Sequence, residues 1–198
     1  MRAPVGKTAT ALVLALCFVA GAAGWALGRG TNPGGGDARV VFLRQMIAHH
    51  QQAIEMSQVE LLDGARREVK VYAEEILRFQ AYEIGLMERF LADWGHERDD
   101  EGHLHMPGMA SPEEMDGLRA AEGDDVDAWF IALMVDHHAA GTQMAETIAG
   151  DRGDASVEGL AARMAIAQQS EIAELLRVAE RFDLDVPPEG VTWDVHSS

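Results

Sequence analysis

From residue 37 onward, apolar residues recur at steps of three and four, and no run alternates with period two. That is the pattern of helices burying one face, and it argues against a sheet. In the first segment Phe42, Met46, His49, Ala53 and Met56 form one stripe, with His50 beside it. In the second, Tyr72, Ile76, Phe79, Glu83, Met87, Phe90 and Trp94 do the same. In the last, Met164, Ala167, Glu171, Leu175, Val178 and Phe182 repeat the spacing. Asp37 and Asp125 are suitable N-caps for the first and third helices. Asp63-Gly64 and residues 150–154 read as turns, so these two helices are predicted to reach about Leu62 and Ala149. Gly95 and Pro187-Pro188 supply stops after Trp94 and Phe182. The chain is therefore predicted to be all-α.

The segments are related by an internal repeat with a constant offset of 88 and no gap. Phe42-x3-Met46-x2-His49-His50-x5-Met56 recurs as Phe130-x3-Met134-x2-His137-His138-x5-Met144, and Gln80, Glu83 and Ile84 recur as Gln168, Glu171 and Ile172. The repeats span residues 37–94 and 125–182, each a helical hairpin. Two such hairpins make a four-helix bundle over residues 37–186, followed by a tail, 187–198. The connector, 95–124, contains Ser111-Pro112-Glu113-Glu114, a capping box with Pro at N1, so a short helix should begin there. A connector of this length fits the ferritin-like topology with one long crossover, and an up-down bundle with a decorated loop is the alternative.

The chemistry lies where polar residues interrupt the apolar stripes. Glu83 and Glu171 occupy core spacing, and both His pairs sit on buried faces. A buried carboxylate without a partner is costly, so it must find a donor, a cation or a metal. His and Glu from facing helices are the usual ligands of metal sites in bundles. His49, His50, His137, His138, Glu83 and Glu171 are therefore candidate ligands. A metal-free network in which the glutamates hydrogen-bond the imidazoles accounts for the same pattern. Met46, Met56, Met134 and Met144, with Met87 and Met164, stand at core spacing and serve as packing. Thioether and imidazole together also suit copper, and Met46 and Met134 lie one turn from His50 and His138.

A second candidate is the connector tract His103-Leu104-His105-Met106-Pro107-Gly108-Met109, preceded by His96. His103, His105, Met106 and Met109 are not required there for packing and read as a copper-binding loop or as a polar linker.

Charge narrows the partners. Every one of the 33 acidic residues lies at or after Asp37, against thirteen of the 16 basic ones, which leaves this part at −20. Such a surface repels nucleic acid and favours cations, besides conferring solubility. The single cysteine, Cys17, precedes the predicted bundle, so no thiolate serves as ligand or nucleophile within it. Self-association of the bundle is left open.

Residues 1–36 have another character. Arg2 and Lys7 precede an uncharged run over residues 8–27, a pattern that directs the following chain across a membrane. Twenty residues suffice to span a bilayer. The run exceeds a usual signal core, which favours a retained anchor, and a cleaved signal is the alternative because Ala20-Gly21-Ala22 resembles a cleavage site. Residues 31–36 form a Gly-rich linker. On both readings the bundle ends up outside the cytoplasm, attached to the membrane by its N-terminus or released.

The motif Met-x2-His-His-x2-Ala-x2-Met over residues 46–56, the His-Met-Pro-Gly-Met connector and the Ser-Pro-Glu-Glu-Met start together resemble the "domain of unknown function 305" family, over residues 37–182. The resemblance implies a ferritin-like four-helix bundle, usually exported, with some members similar to periplasmic copper-binding proteins. It implies Met46, His49, His50, Met56, Met134, His137, His138, Met144 and the connector His and Met residues as ligands. Gly141 stands where the motif usually has Ala, and Ser57 where a small apolar residue is usual.

The expected function is extracytoplasmic binding of Cu(I) or Cu(II), weakening below pH ~6 as imidazoles protonate. A ferritin-like oxidase is the rival, but the Glu-x-x-His spacing of carboxylate di-metal sites is replaced here by Gln80-x-x-Glu83 and Gln168-x-x-Glu171. A metal-free structural or partner-binding bundle is the third reading.

Overall fold

A computed structural model describes residues 33–98, 106–150, 155–184 and 186. The proposed targeting segment, His103, His105, Pro187-Pro188 and the tail lie outside the described residues. The chain divides after Pro33 into two units, and the described helices belong to the second, Gly34–Ser198. Among the described residues there is no strand, and no helix is long and apolar enough to cross a membrane.

The described residues form five helices in order: α1 (Ala38–Asp63), α2 (Arg67–Asp93), α3 (Pro112–Ala120), α4 (Asp124–Glu146) and α5 (Val157–Phe182). Local chemistry sets their ends. The Asp37 side chain accepts from Arg39 N at 2.9 Å and caps α1. Ser111 and Glu114 close the reciprocal capping box of α3, with Pro112 at its first turn. Gly95, at φ 77°, follows α2 in the left-handed conformation that glycine tolerates. Two ends differ from expectation. The N-cap of α4 is Gly123 rather than Asp125, which puts Asp124, Asp125 and Asp127 in the first turn, where they complement the helix dipole. The same helix ends at Glu146 instead of Ala149.

Each long helix packs against two others: α1 on α2 and α4, α5 on α2 and α4. Two apolar clusters fix the directions. One joins Ala53 and Met56 of α1, Val69 to Ile76 of α2, Val126 to Val135 of α4 and Leu175 to Ala179 of α5. The other joins Val40 to Ile47, Met87 and Leu91, Ala145, and Val157 to Ala165. So α1 and α5 run one way, α2 and α4 the other, and the connector carries the chain across the bundle's length between α2 and α4.

The buried stripes of α2 and α5 lie to one side of those read from the sequence. On α2 the buried residues are Val69, Ala73, Ile76, Gln80, Met87 and Leu91, while Phe79 is 61% exposed. On α5, Gln168 is buried and Ala167 exposed. Both alternatives keep steps of three and four, and the aromatic residues favour the wrong one. At Phe79 the helix turns its large side chain to solvent and its carboxamide neighbour inward.

The connector is clamped onto α1 and α4. The Gln52 carboxamide donates to Ala110 O at 2.8 Å and accepts from Ala110 N at 2.7 Å. Gly108, at φ 76°, lies so close to α4 that an added Cβ would stand 2.2 Å from Ala140 Cβ. Gly117 of α3 sits on Trp129, whose Cη2 would be 2.7 Å from an added Cβ. Gly117→Ala is expected to destabilise the bundle by about 1–3 kcal/mol through overpacking, read as a lower midpoint in thermal unfolding. An unchanged or higher midpoint would show that the indole shifts at no cost.

Candidate metal centre

Between the two apolar clusters lies one polar layer. Its members are His49 and His50 from α1, Gln80 and Glu83 from α2, His137 and His138 from α4, and Gln168 and Glu171 from α5. All four histidines are fully buried. Because α1 and α4 pack face to face, the rings of His49 and His137 stack with centroids 3.6 Å apart and planes 31° apart. These residues are equivalent in the two repeats, so the local two-fold relation passes between them. The same relation pairs His50 Nε2 with Glu83 Oε2 at 2.9 Å and His138 Nε2 with Glu171 Oε2 at 2.7 Å.

Hydrogen bonding fixes which ring nitrogens keep a lone pair. His137 Nε2 lies 3.0 Å from His49 O. A carbonyl only accepts, so Nε2 carries the hydrogen and Nδ1 is left with the lone pair. Carboxylates likewise accept, so His50 and His138 direct Nε2–H at their glutamates, and in the neutral ring Nδ1 bears the lone pair. The Nδ1 atoms of His50, His137 and His138, and both nitrogens of His49, are buried without a partner. Burial, reinforced by the neighbouring imidazoles, holds His49 and His137 well below the ordinary imidazole pKa, so both are neutral near pH 7.

Most of the sequence-predicted residues meet in this layer or flank it. Met46, Met56 and Met134 are fully buried, and Met144 packs partly buried against the second apolar cluster. Met106 and Met109 are partly buried in the connector, where Met109 N donates to Met106 O at 3.2 Å. Among the described residues, no three His, Cys, Asp or Glu side chains are grouped so as to hold an ion by themselves. The glutamates stand behind the imidazoles as hydrogen-bond acceptors.

Sequence reasoning misses Gln80 and Gln168 as site residues. Both are buried, and no carboxamide atom of either has a partner. Their recurrence in register with the glutamates is the available signal. Gly141 also acquires a reason: a Cβ there would stand 2.3 Å from Gln168 Oε1 and 2.9 Å from His49 Cε1. The glycine leaves room for the carboxamide and the imidazole to face each other.

The family model described as "Domain of unknown function (DUF305)" matches residues 39–179. The chain belongs to the DUF305 family. A DUF305 protein of Streptomyces coelicolor, described as secreted, is 28% identical with a TM-score of 0.70, over 80% of this chain and all of that one. A DUF305 fragment from Deinococcus radiodurans is 28% identical with a TM-score of 0.68, over 75% of this chain and 99% of the fragment. CopM in its Cu(I)-bound form is 25% identical with a TM-score of 0.58, over 72% of this chain and 95% of CopM. No functionally curated protein matches the chain.

Proposed function

We propose that this DUF305 protein binds copper outside the cytoplasm, with the buried imidazoles as its principal ligands. The reading rests first on the set of ring nitrogens buried without partners in the polar layer. Such groups are rare in native proteins, and a role in holding an ion is one physical reason for them. The fit to a soft ion is good. Imidazole nitrogen and thioether sulfur suit Cu(I), and Met46 and Met134 stand one turn from the histidines on the same helices. A harder ion would demand more oxygen or nitrogen donors than these residues group together. The Glu83 and Glu171 carboxylates orient His50 and His138 from behind, as second partners of metal-binding histidines commonly do. Similarity to CopM, known in a Cu(I)-bound form, supports the same choice of ion. Similarity to a protein described as secreted, together with the apolar run at residues 8–27, supports an extracytoplasmic location, reached through a retained anchor or a cleaved signal. His103, His105, Met106 and Met109 of the connector would form a second copper-binding loop, separate from the core.

Anaerobic titration of the full chain with Cu(I), in competition with a chromophoric chelator, tests this. The variant with His49, His50, His137 and His138 all replaced by Ala is expected to bind at least about 100-fold more weakly. Glu83→Gln with Glu171→Gln, which keeps the side-chain shapes, is expected to lose about 10- to 100-fold. Equal affinity in the parent and the four-histidine variant, with helicity retained, would remove the core site.

The His50–Glu83 and His138–Glu171 hydrogen bonds favour a second reading, a metal-free network that specifies the packing of the two hairpins. It leaves the Nδ1 atoms unexplained. It requires thermal stability that is the same with and without a soft metal, because a ligand held only by the native state raises it.

A further inference from the structure

An ion bound at the histidines needs a way in, since all four rings are sealed from solvent. The apolar clusters close the layer above and below. On the α1–α4 side the connector covers it: Gln52 holds Ala110 through two hydrogen bonds, and Gly108 lies against Ala140 and the backbone of Asp136 and His137. The α2–α5 side is different. There a cleft of about 260 Å³ opens at the level of the layer, lined by Phe79, Gln80, Glu83, Ala167, Gln168, Ser170 and Glu171.

Two independent features make this cleft more than a gap between helices. Gln80 and Gln168 line it with only 3% and 2% of their surface exposed, and their amide groups have no partner. Glu83 and Glu171, whose side chains are 19% and 22% exposed, link the cleft directly to His50 and His138. Gln168 continues inward, since its Oε1 and His49 Cε1 both come within 3 Å of the space left by Gly141. Polar side chains thus lead from the cleft toward the buried imidazoles of His49, His50 and His138.

We propose that the cleft between α2 and α5 is the port by which a metal cation reaches the buried imidazoles, docking first among the oxygens of Gln80, Glu83, Gln168 and Glu171. The inference rests on the metal-binding reading above and adds the route. Two carboxylates in a cleft draw a cation in and speed its arrival. Oxygen donors hold a soft ion weakly, whereas nitrogen and sulfur deeper in the bundle hold it better, so ligand preference itself drives the transfer inward. The two carboxamides carry no charge and have no competing partner, so they turn toward the passing ion without breaking an existing hydrogen bond.

Stopped-flow uptake and chelator-driven release of Ag(I) by the full chain test the port. Ala167→Trp and, separately, Ser170→Trp plug the mouth from exposed positions. Both variants are expected to slow uptake and release alike by about tenfold or more while the dissociation constant stays within about threefold, because a barrier on the route acts in both directions. Unchanged rates in both would overturn the port and leave the core site standing. A weaker dissociation constant with an unchanged uptake rate would mean that the substitutions disturb the storage site and not the route, and would equally overturn the port. If the parent chain takes up no silver, the metal-binding reading falls and the port with it.

Discussion

Glu60→Gln should make the protein more stable at neutral pH. Glu60 is buried in α1, neither of its carboxyl oxygens has a hydrogen-bond partner, and Gly64 leaves space where a Cβ would stand 2.2 Å from Oε1. Burial, and then the neighbouring Asp127, push its pKa up from 4.5 to about 9. Asp127 cannot move aside, because it accepts from Ala65 N and Arg66 N at 3.1 Å and fastens the α1–α2 turn to the start of α4. The folded chain thus keeps a proton on Glu60 that the unfolded chain releases. Between pH 4.5 and about 9 the folded state binds more protons, so stability from this group falls as pH rises. A glutamine keeps the shape, offers an N–H to the neighbouring Asp127 carboxylate and does not titrate. At pH 7 the variant should gain about 2–3 kcal/mol in denaturant unfolding, and the gain should vanish near pH 4.5. No gain at pH 7, or one that grows toward low pH, would mean that Glu60 is ionised in the fold.

The metal-free protein should lose stability steeply below pH 6.5, through His49 and His137. Both pKa values are depressed, first by burial and then by nearby imidazoles. Here the sign is opposite to that of Glu60. Below 6.5 the unfolded chain takes up protons that the folded chain refuses, so stability rises with pH and is lost as pH falls through that window. Two such groups give up to about 2.7 kcal/mol per pH unit, or about 4 kcal/mol by pH 5, against a total of about 5–15 kcal/mol for a typical domain. Glu60 runs the other way with half that slope, so the profile is cleanest in the Glu60→Gln background. Denaturant midpoints taken from pH 8 to pH 5 should fall, and His49→Gln with His137→Gln should flatten the curve. A flat curve in the parent would show that both rings are protonated, or open to water, in the folded state.

Much of the fold is legible in the sequence because duplication amplifies weak signals. A constant offset makes His49 and His137, His50 and His138, and Glu83 and Glu171 visible as pairs, and the capping box at Ser111 places the short connector helix. Periodicity does not choose between adjacent stripes on α2, so it reads Phe79 as core while Gln80, one position on, holds that place. Nor does it tell a ligand from a group standing behind a ligand. That Glu83 and Glu171 bond the imidazoles, and that His137 commits Nε2 to the His49 carbonyl, depends on how the helices meet. The Glu60–Asp127 pair gives no signal because the repeat does not contain it: Ile148 stands opposite Glu60, and Arg39 opposite Asp127. An asymmetric feature needs the packed structure to reveal it.

The proposed copper binding depends on unprotonated imidazole nitrogens held ready in a buried layer. Nitrogen-detected NMR of the histidine side chains reads those atoms directly, with diamagnetic Ag(I) as the ion. Before addition, His137 should report hydrogen on Nε2 and a lone pair on Nδ1. With silver bound, Nδ1 resonances of the core histidines should shift to the metal-bound range while His137 Nε2 keeps its hydrogen. Core imidazole signals that stay in place, while connector residues alone respond, would show that the buried layer holds no metal.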